Sequence, residues 1–328
     1  MAGVKKLTVA VTGPTGDIGK AAVRALERSR EIGEIRGMAR RPFSAPAEGW
    51  KKTEYVQGDV LDAKAVAGLV EGADVVVHLA FIIMGSDEES RRINLEGTRN
   101  VVEGAVAAGA KRIVYTSSVA AYGFRDDHPP SLTEDQPALG SDHPYSAQKN
   151  ELEGVVQELV ARTKTSAYIF RPCVVAGPTA LAMVEEVPAA IRKLSKIKGI
   201  QPVVPDPGVP LQIVHEDDVA TAIRAAVLGR GAPGVYNLAG EGTVSISEVA
   251  RAYGWRSVGV PRVSVKVAAD VVAALPFLPS KTRWVEALRS PMMMDTSKAK
   301  RELRWRPKHD ARSTLHQTVA AARERGLL

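Results

Sequence analysis

Three groups of residues have the types and spacing to do chemistry. The first is Thr12-Gly13-Pro14-Thr15-Gly16-Asp17-Ile18-Gly19, a glycine-rich turn between a short apolar run and a helical pattern. Gly13 permits a tight bend, Gly16 lets backbone approach a diphosphate, and Gly19 lets the following helix pack closely. The helix start offers free N–H groups and a partial positive charge to an anion, so Thr15, Asp17 and Ile18 join the glycines as candidate cofactor contacts. A glycine triplet alone is as well explained by a plain turn, but this one follows a strand pattern and opens a helix, the context that binds dinucleotides. The second group is Arg40-Arg41, in Gly37-Met38-Ala39-Arg40-Arg41-Pro42, where an NAD site would place a carboxylate for the ribose 2′-hydroxyl. Two guanidiniums there suit a 2′-phosphate. That favours NADP, with NAD as the alternative, and the plain reading is a pair of solvated loop arginines. The third group is Tyr145 and Lys149, four apart and so on one face of a helix. Read alone, such a pair is more often a surface contact than a site.

The elements that must position these residues alternate along the chain. Short β-branched runs at 7–11, 35–39, 53–57, 75–80, 112–117 and 166–171 are interleaved with helical patterns at 18–28, 93–108 and 145–163. That alternation predicts βαβ crossovers and a parallel sheet buried on both faces, an α/β fold of the Rossmann-type doubly wound class. After Gly177-Pro178 the regularity fails among Pro188, Pro202, Pro205, Pro207 and Pro210, and resumes with a strand at 211–215, a helix at 219–228 and a strand at 235–238. The expected division is a dinucleotide-binding domain of 1–177 plus 211–240 and a smaller substrate-binding lobe of 178–210 plus 241–328. The crevice between two such lobes is the usual place for a ligand.

Composition narrows the function classes. The chain has 328 residues, 45% of them hydrophobic and 25% charged, an ordinary globular balance. One cysteine, Cys173, excludes an intrachain disulfide and a multi-cysteine metal site, and no metal is expected. No apolar stretch reaches the roughly 20 residues that span a bilayer, and the start runs into a strand with no signal-peptide pattern, so a cytoplasmic protein is expected. Lys plus Arg is 44 against 37 acids, a net charge of +7. The bases are scattered among acids, which argues against nucleic acid. Their densest run, 298–308, reads as an exposed helix ending before Pro307.

Together with Gly58-Asp59-Val60, His78-Leu79-Ala80, Asn94-Leu95-Glu96-Gly97-Thr98, Ser117-Ser118-Val119-Ala120-Ala121-Tyr122-Gly123, Tyr145-Ser146-Ala147-Gln148-Lys149 and Arg171-Pro172, the glycine loop makes a recognisable set. It resembles the extended short-chain dehydrogenases/reductases, the NAD-dependent epimerase/dehydratase group, in order from Val9 to about Pro307. The resemblance implies that Tyr145 and Lys149 are the proton-transfer pair. A phenol with pKa near 10 is a poor base, and a nearby ammonium and the nicotinamide charge would lower that pKa. It also implies that Lys149 bonds the nicotinamide ribose, and that Ser118, four residues before the Tyr-Gly pair, steadies the substrate oxygen. Ser117 is the runner-up, since a shift of one residue points to the other side of a strand. By the same resemblance Asp59 and Val60 contact the adenine, Leu79 and Ala80 complete the cofactor set near the adenine ribose, and Asn94 shapes the active site. A structural cap explains Asn94 equally well.

Sugar dehydratases of this group carry an Asp-Glu pair after the active-site hydroxyl residue. Here Val119 and Ala120 stand there, and neither can move a proton. A nucleotide-sugar 4-epimerase would keep NAD tightly bound, which Arg40-Arg41 disfavour. The simpler expectation is an NADP-exchanging oxidoreductase moving a hydride between nicotinamide C4 and a secondary alcohol or ketone. A non-catalytic NADP-sensing regulator is the other alternative, and complete Ser118, Tyr145 and Lys149 argue against it. Phe81-Ile82-Ile83-Met84 and the apolar stretch 265–278 read either as lobe core or as the wall of a pocket for a substrate with an apolar body. Lys193, Lys196 and Lys198 keep a sugar diphosphate open. A homodimer is expected, because the family pairs the helices at 94–108 and 145–163, and Val101, Val102, Ala105, Val106, Val155, Val156, Leu159 and Val160 give them apolar residues to spare.

Overall fold

The β-branched runs pair side by side into one parallel sheet, as a computed structural model describing residues 5–82, 87–141, 143–187, 191–192, 201–261 and 291–328 shows. The nucleotide-fold half runs β1 (Leu7–Thr12), α1 (Asp17–Glu27), β2 (Ile32–Ala39), β3 (Thr53–Gln57), α2 (Ala63–Val70), β4 (Val75–His78), α3 (Asp87–Ala107) and β5 (Arg112–Thr116). It continues through α4 (Pro144–Val160), β6 (Ser166–Pro172) and β7 (Val174–Ala176). Beyond these lie α5 (Ala182–Glu185), β8 (Val203–Asp206), β9 (Ile213–His215), α6 (Glu216–Val227), β10 (Gly234–Leu238), α7 (Ile246–Tyr253), β11 (Arg256–Gly259), α8 (Ser297–Glu302) and α9 (Ala311–Glu324). Seven strands form the main sheet in the order β10-β6-β5-β4-β1-β2-β3, all parallel. The order reverses between β1 and β4, the crevice where doubly wound sheets bind dinucleotides.

Period-two alternation fills both faces. Val9, Val11, Val75, Val77 and Val114 pack with α1 and α6 residues such as Val23, Leu26, Val219 and Ile223. Ala10, Val76, Ile113 and Tyr115 face the opposite way, against Val66, Leu69, Val101, Val102, Leu152 and Val156 of α2, α3 and α4. Burial on both faces explains why these strands read as unbroken apolar runs.

Several expectations are corrected. The strand near 211–215 joins β7 in a separate two-stranded sheet and not the main one. The basic run at 298–308 is not an exposed helix to Pro307: α8 stops at Glu302, Arg304 takes a left-handed φ of 54°, and Leu303 and Trp305 are buried in the larger core. Trp305 Nε1 donates to the Asp218 carbonyl (2.8 Å), and the Lys308 and His309 amides donate to the Asp218 carboxylate (2.8 and 3.0 Å), so this strap is docked on the first turn of α6. Of the helix residues counted as spare for a second copy, Val101, Val102, Ala105, Val155 and Val156 are buried in this chain's own core. Val106, Leu159 and Val160 are half-buried, and α3 and α4 also carry the partly exposed bidentate Arg91–Glu151 pair (2.6 and 3.0 Å). Ile83, Met84, residues 265–278 and Lys193, Lys196 and Lys198 lie outside the described residues.

Two glycines of the β1–α1 turn are required by contact. Gly13 has φ +71°, and a Cβ there would meet the Ala80 amide nitrogen at 2.8 Å; a Cβ on Gly19 would meet the Gly13 carbonyl oxygen at 2.1 Å. Gly16 would meet the same oxygen only at 3.6 Å, an ordinary contact. Gly19→Ala is therefore expected to lower the unfolding free energy by about 1–3 kcal/mol through overpacking. Gly16→Ala, at a helix N-cap, should lower it by less than about 1 kcal/mol. Urea unfolding of the two variants checks the order.

Candidate active site

The sequence-predicted site residues fall in a row of loops at the carboxyl ends of successive strands. Gly13 follows β1, Arg40 and Arg41 follow β2, Asp59 and Val60 come just after β3, Leu79 and Ala80 follow β4, and Ser118 follows β5. Across the switch point the Leu79 amide donates to the Thr12 carbonyl (3.1 Å) and the Ala80 amide to the Thr12 hydroxyl (3.4 Å). At the end of β3 the Asp59 carboxylate accepts the Leu61 amide (3.1 Å), while Asn100 Nδ2 holds the Val60 carbonyl (2.9 Å).

Ser118, Tyr145 and Lys149 are brought together where β5 meets the start of α4. Ser118 caps a single 3-10 turn, Val119–Tyr122, by accepting the Ala120 amide (3.2 Å), and its hydroxyl lies near enough to the Tyr145 phenol to lower its pKa. Ser117 donates its amide to the Phe170 carbonyl (2.7 Å), and its buried Oγ has no hydrogen-bond partner among the described residues. Of the two hydroxyls, the one at Ser118 is the one that acts on the Tyr145 phenol. Pro144 at the first helical position starts α4. The Ser146 hydroxyl donates to the Ala120 carbonyl (2.7 Å), which ties that first turn to the 3-10 turn.

Lys149 is buried, and its Nζ donates to the Thr116 carbonyl (3.0 Å) and lies 3.7 Å from the Phe81 ring centroid. The Tyr145 ring centroid is farther, at 5.9 Å. Burial pushes the ammonium down to about 7, against the pull of the Glu153 carboxylate. The nicotinamide charge aside, the Tyr145 phenol is raised. Burial pushes it above its ordinary value, and the Ser118 hydroxyl draws it only part of the way back.

Asn94, expected to shape the site, and several residues outside the expected set hold this arrangement. Asn94 accepts the Ile82 amide (2.8 Å) and donates both amide hydrogens, to the Ile82 carbonyl (3.0 Å) and to Gln148 Oε1 (2.9 Å). With its donors spent on the chain, Asn94 is a clamp between the segment after β4 and the helix of Lys149. His78 bonds Thr12 Oγ1 through Nδ1 (2.7 Å) and Thr98 Oγ1 through Nε2 (3.0 Å), and burial, then the nearby Lys149, pushes its pKa down to about 3. Glu153, one turn beyond Lys149, makes a buried bidentate pair with Arg171 (2.9 and 2.6 Å), whose guanidinium lies 4.3 Å from the Tyr122 ring centroid. The spacing Tyr145, Lys149, Glu153 put all three on one helix face in the sequence; only the fold supplies Arg171.

The β1–α1 turn fits a diphosphate in its backbone. Gly16 is exposed, the first turn of α1 has no side-chain cap, and its amides point out of the helix start. The Asp17 carboxyl opposes an anion: burial, then Glu185 and Glu216, raise it to about 6, and Arg325 only partly offsets them. Asp17 thus offers its amide, while its side chain repels. Past β2, the Tyr55 hydroxyl bonds the Ala39 and Arg41 carbonyls and Gln57 Nε2 bonds the Arg40 carbonyl (2.9 Å). That fixes the backbone while both guanidiniums stay exposed and, among the described residues, outside any ion pair.

One histidine pair lies away from this row. His215 and His309 stack at 3.9 Å with Asp217 nearby. His215 Nδ1 accepts the Asp217 amide (3.0 Å), so its lone pair caps α6 and the ring proton sits on Nε2. That tautomer makes a helix cap, not a ready metal ligand.

Comparison with known proteins agrees with the fold. Residues 9–239 match the model of the NAD dependent epimerase/dehydratase family. The human 3 beta-hydroxysteroid dehydrogenase type 7 is 34% identical over 169 residues, 48% of this chain and 46% of that protein, so the match spans about half of that relative's length. The crystal structure of gox2253 is 28% identical with a TM-score of 0.77, over 99% of this chain and 100% of that one. MoeE5, solved in complex with UDP-glucuronic acid and NAD, is 21% identical with a TM-score of 0.74, over 97% and 99%. At that identity the likeness speaks for the fold alone.

The raised Asp17 carboxyl has a measurable consequence. Ionising it beside a diphosphate is unfavourable, so dinucleotide affinity should fall as pH rises through about 6. Calorimetry with NAD, whose diphosphate does not titrate in this range, should show that fall in the wild type and a flatter profile in Asp17→Asn. At a pH of about 7.5 the variant should bind about three-fold or more tightly than the wild type, as removal of a like charge requires.

Proposed function

The chain belongs to the NAD-dependent epimerase/dehydratase family, and from that premise we propose that it is an NADP-exchanging oxidoreductase interconverting a secondary alcohol and a ketone, with Tyr145 carrying the proton. The observation that carries this reading is the placement of Tyr145 and Lys149 one helical turn apart, Nζ 5.9 Å from the Tyr145 ring centroid, with the Ser118-capped turn tied to the same helix start by Ser146. When bound, the nicotinamide supplies or accepts the hydride. Ser118 holds the substrate oxygen beside the phenol. Tyr145 donates its proton to a carbonyl oxygen, or takes the proton of a hydroxyl in the other direction. Burial keeps the phenol protonated at neutral pH, the form that reduction needs. Oxidation needs a positive charge close enough to favour phenolate, and Lys149 is the group to supply it. Val119 and Ala120 leave no acid after Ser118 for eliminating water.

The cofactor assignment follows the row of loops. Gly13, Thr15, Gly16, Asp17, Ile18 and Gly19 take the diphosphate through backbone, Asp59 and Val60 the adenine, and Leu79 and Ala80 the adenine ribose. Arg40 and Arg41 take the 2′-phosphate, for which their fixed backbone and unpaired guanidiniums are suited. The substrate is an alcohol or ketone on an apolar body, with a hydroxysteroid-like polycycle as the leading class. Half-buried Phe81 beside Tyr145 supports that, as does the name of the human relative.

Replacing Arg40 and Arg41 with Ala should weaken NADP by about 1.5–3 kcal/mol per lost charged hydrogen bond and spare NAD. Isothermal titration with both cofactors checks it, and a wild type that prefers NAD contradicts the assignment. For the chemistry, Tyr145→Phe keeps the ring and should lower single-turnover hydride transfer from saturating NADPH to a panel of apolar ketones by roughly 10²–10⁴-fold. Lys149→Met should do comparable damage, and the losses should be far from additive. A Tyr145→Phe enzyme within a few-fold of wild type, with hydride transfer limiting, would overturn the proton role.

A further inference from the structure

Among the described residues the Lys149 ammonium has no carboxylate in ion-pair contact. Its Nζ has one carbonyl, that of Thr116, and three aromatic neighbours: Phe81 at 3.7 Å, Tyr115 at 5.4 Å and Tyr145 at 5.9 Å from the ring centroids. A cation over a ring face within about 6 Å is attracted to it, more strongly when it is desolvated. Phe81 is much the closest. The same ring meets Tyr145 edge-on, at 5.7 Å and 84°. Phe81 therefore touches both members of the pair from outside their helix. It sits on the segment leaving β4, where the two Asn94–Ile82 hydrogen bonds fix the chain and the Asn94–Gln148 bond joins it to the neighbour of Lys149.

We propose that Phe81 is the positioning residue of the Lys149–Tyr145 pair, its ring face seating the ammonium and its T-shaped contact setting the phenol ring. This deepens the reading of the site given above and rests on it. A leucine would fill similar space but carries no quadrupole to hold a cation. The other charged and titratable groups around Lys149 do not take over the task. Glu153 on the same helix spends both oxygens on Arg171, His78 on β4 is held neutral between Thr12 and Thr98, and Tyr115 on β5 is a neutral phenol. Burial alone disfavours the ammonium, so the ring face opposes that tendency.

The test follows the Lys149 titration in the full chain without cofactor or substrate. Protein grown on carbon-13 lysine gives a side-chain resonance assigned by its disappearance in Lys149→Met. Phe81→Leu should lower the titration midpoint by about 0.4–1.5 pH units, the range that a lost cation–ring contact corresponds to. Phe81→Trp should restore it to the wild-type value or above. Phe81→Met serves as a second ring-free variant if the leucine variant does not fold. An unchanged or raised midpoint in the ring-free variants, or no recovery with Trp, overturns the proposal. Because the titration needs no turnover, it separates this outcome from a failure of the Tyr145 proton role.

Discussion

A buried ammonium must be given partners, and the partners of Lys149 organise the site around it. An unpaired charge in a protein interior is unfavourable by several kcal/mol or shifts its pKa until it neutralises. Lys149 is held between these outcomes by the Thr116 carbonyl and the Phe81 ring, with the charge of the Glu153 carboxylate, itself paired to Arg171, acting from farther off. Each partner belongs to a different part of the fold. Thr116 ends β5 and Phe81 leaves β4, so one side chain on α4 draws two adjacent strands to one point, while Glu153 one turn on ties the same helix to Arg171 of β6.

The second constraint is crowding at the switch point. Gly13 and Ala80 approach so closely that no Cβ fits between them, and Thr12 bonds both the Leu79 and Ala80 backbones. That closeness puts the diphosphate loop and the start of the Phe81 segment side by side. It links the proposed cofactor end to the proton-transfer end through backbone contacts, with His78 bridging Thr12 to Thr98 of α3 beneath. Asp17 works against the same loop, and its raised carboxyl records its burial first and then the like charges of Glu185 and Glu216.

Much of this was legible because parallel strands buried on both faces impose their pattern locally. Val9, Ala10 and Val11 alternate between two cores, and the glycines declare the turn that follows. The helical spacing of Tyr145, Lys149 and Glu153 likewise needs no tertiary knowledge. What stayed hidden was orientation and long-range pairing. Val101, Val102, Ala105 and Val156 are equally apolar whether they face a second copy or their own sheet, and only packing shows that they face inward. Asn94 offered two readings until Ile82 and Gln148 claimed its donors. Trp305 sits in a run whose charges suggested solvent, yet its indole finds the Asp218 carbonyl far away in sequence. The position of Phe81 over Lys149 depends on a segment and a helix that meet only in the folded chain.

The account turns on Lys149 acting as the charge that makes Tyr145 a usable proton carrier. The most direct measurement is the ultraviolet difference titration of Tyr145, isolated by subtracting Tyr145→Phe, with NADP bound, in the wild type and in Lys149→Met. The phenol should ionise at least about one pH unit lower in the wild type than in the variant, as a nearby positive charge requires. Coincident titrations in the two proteins would contradict the account.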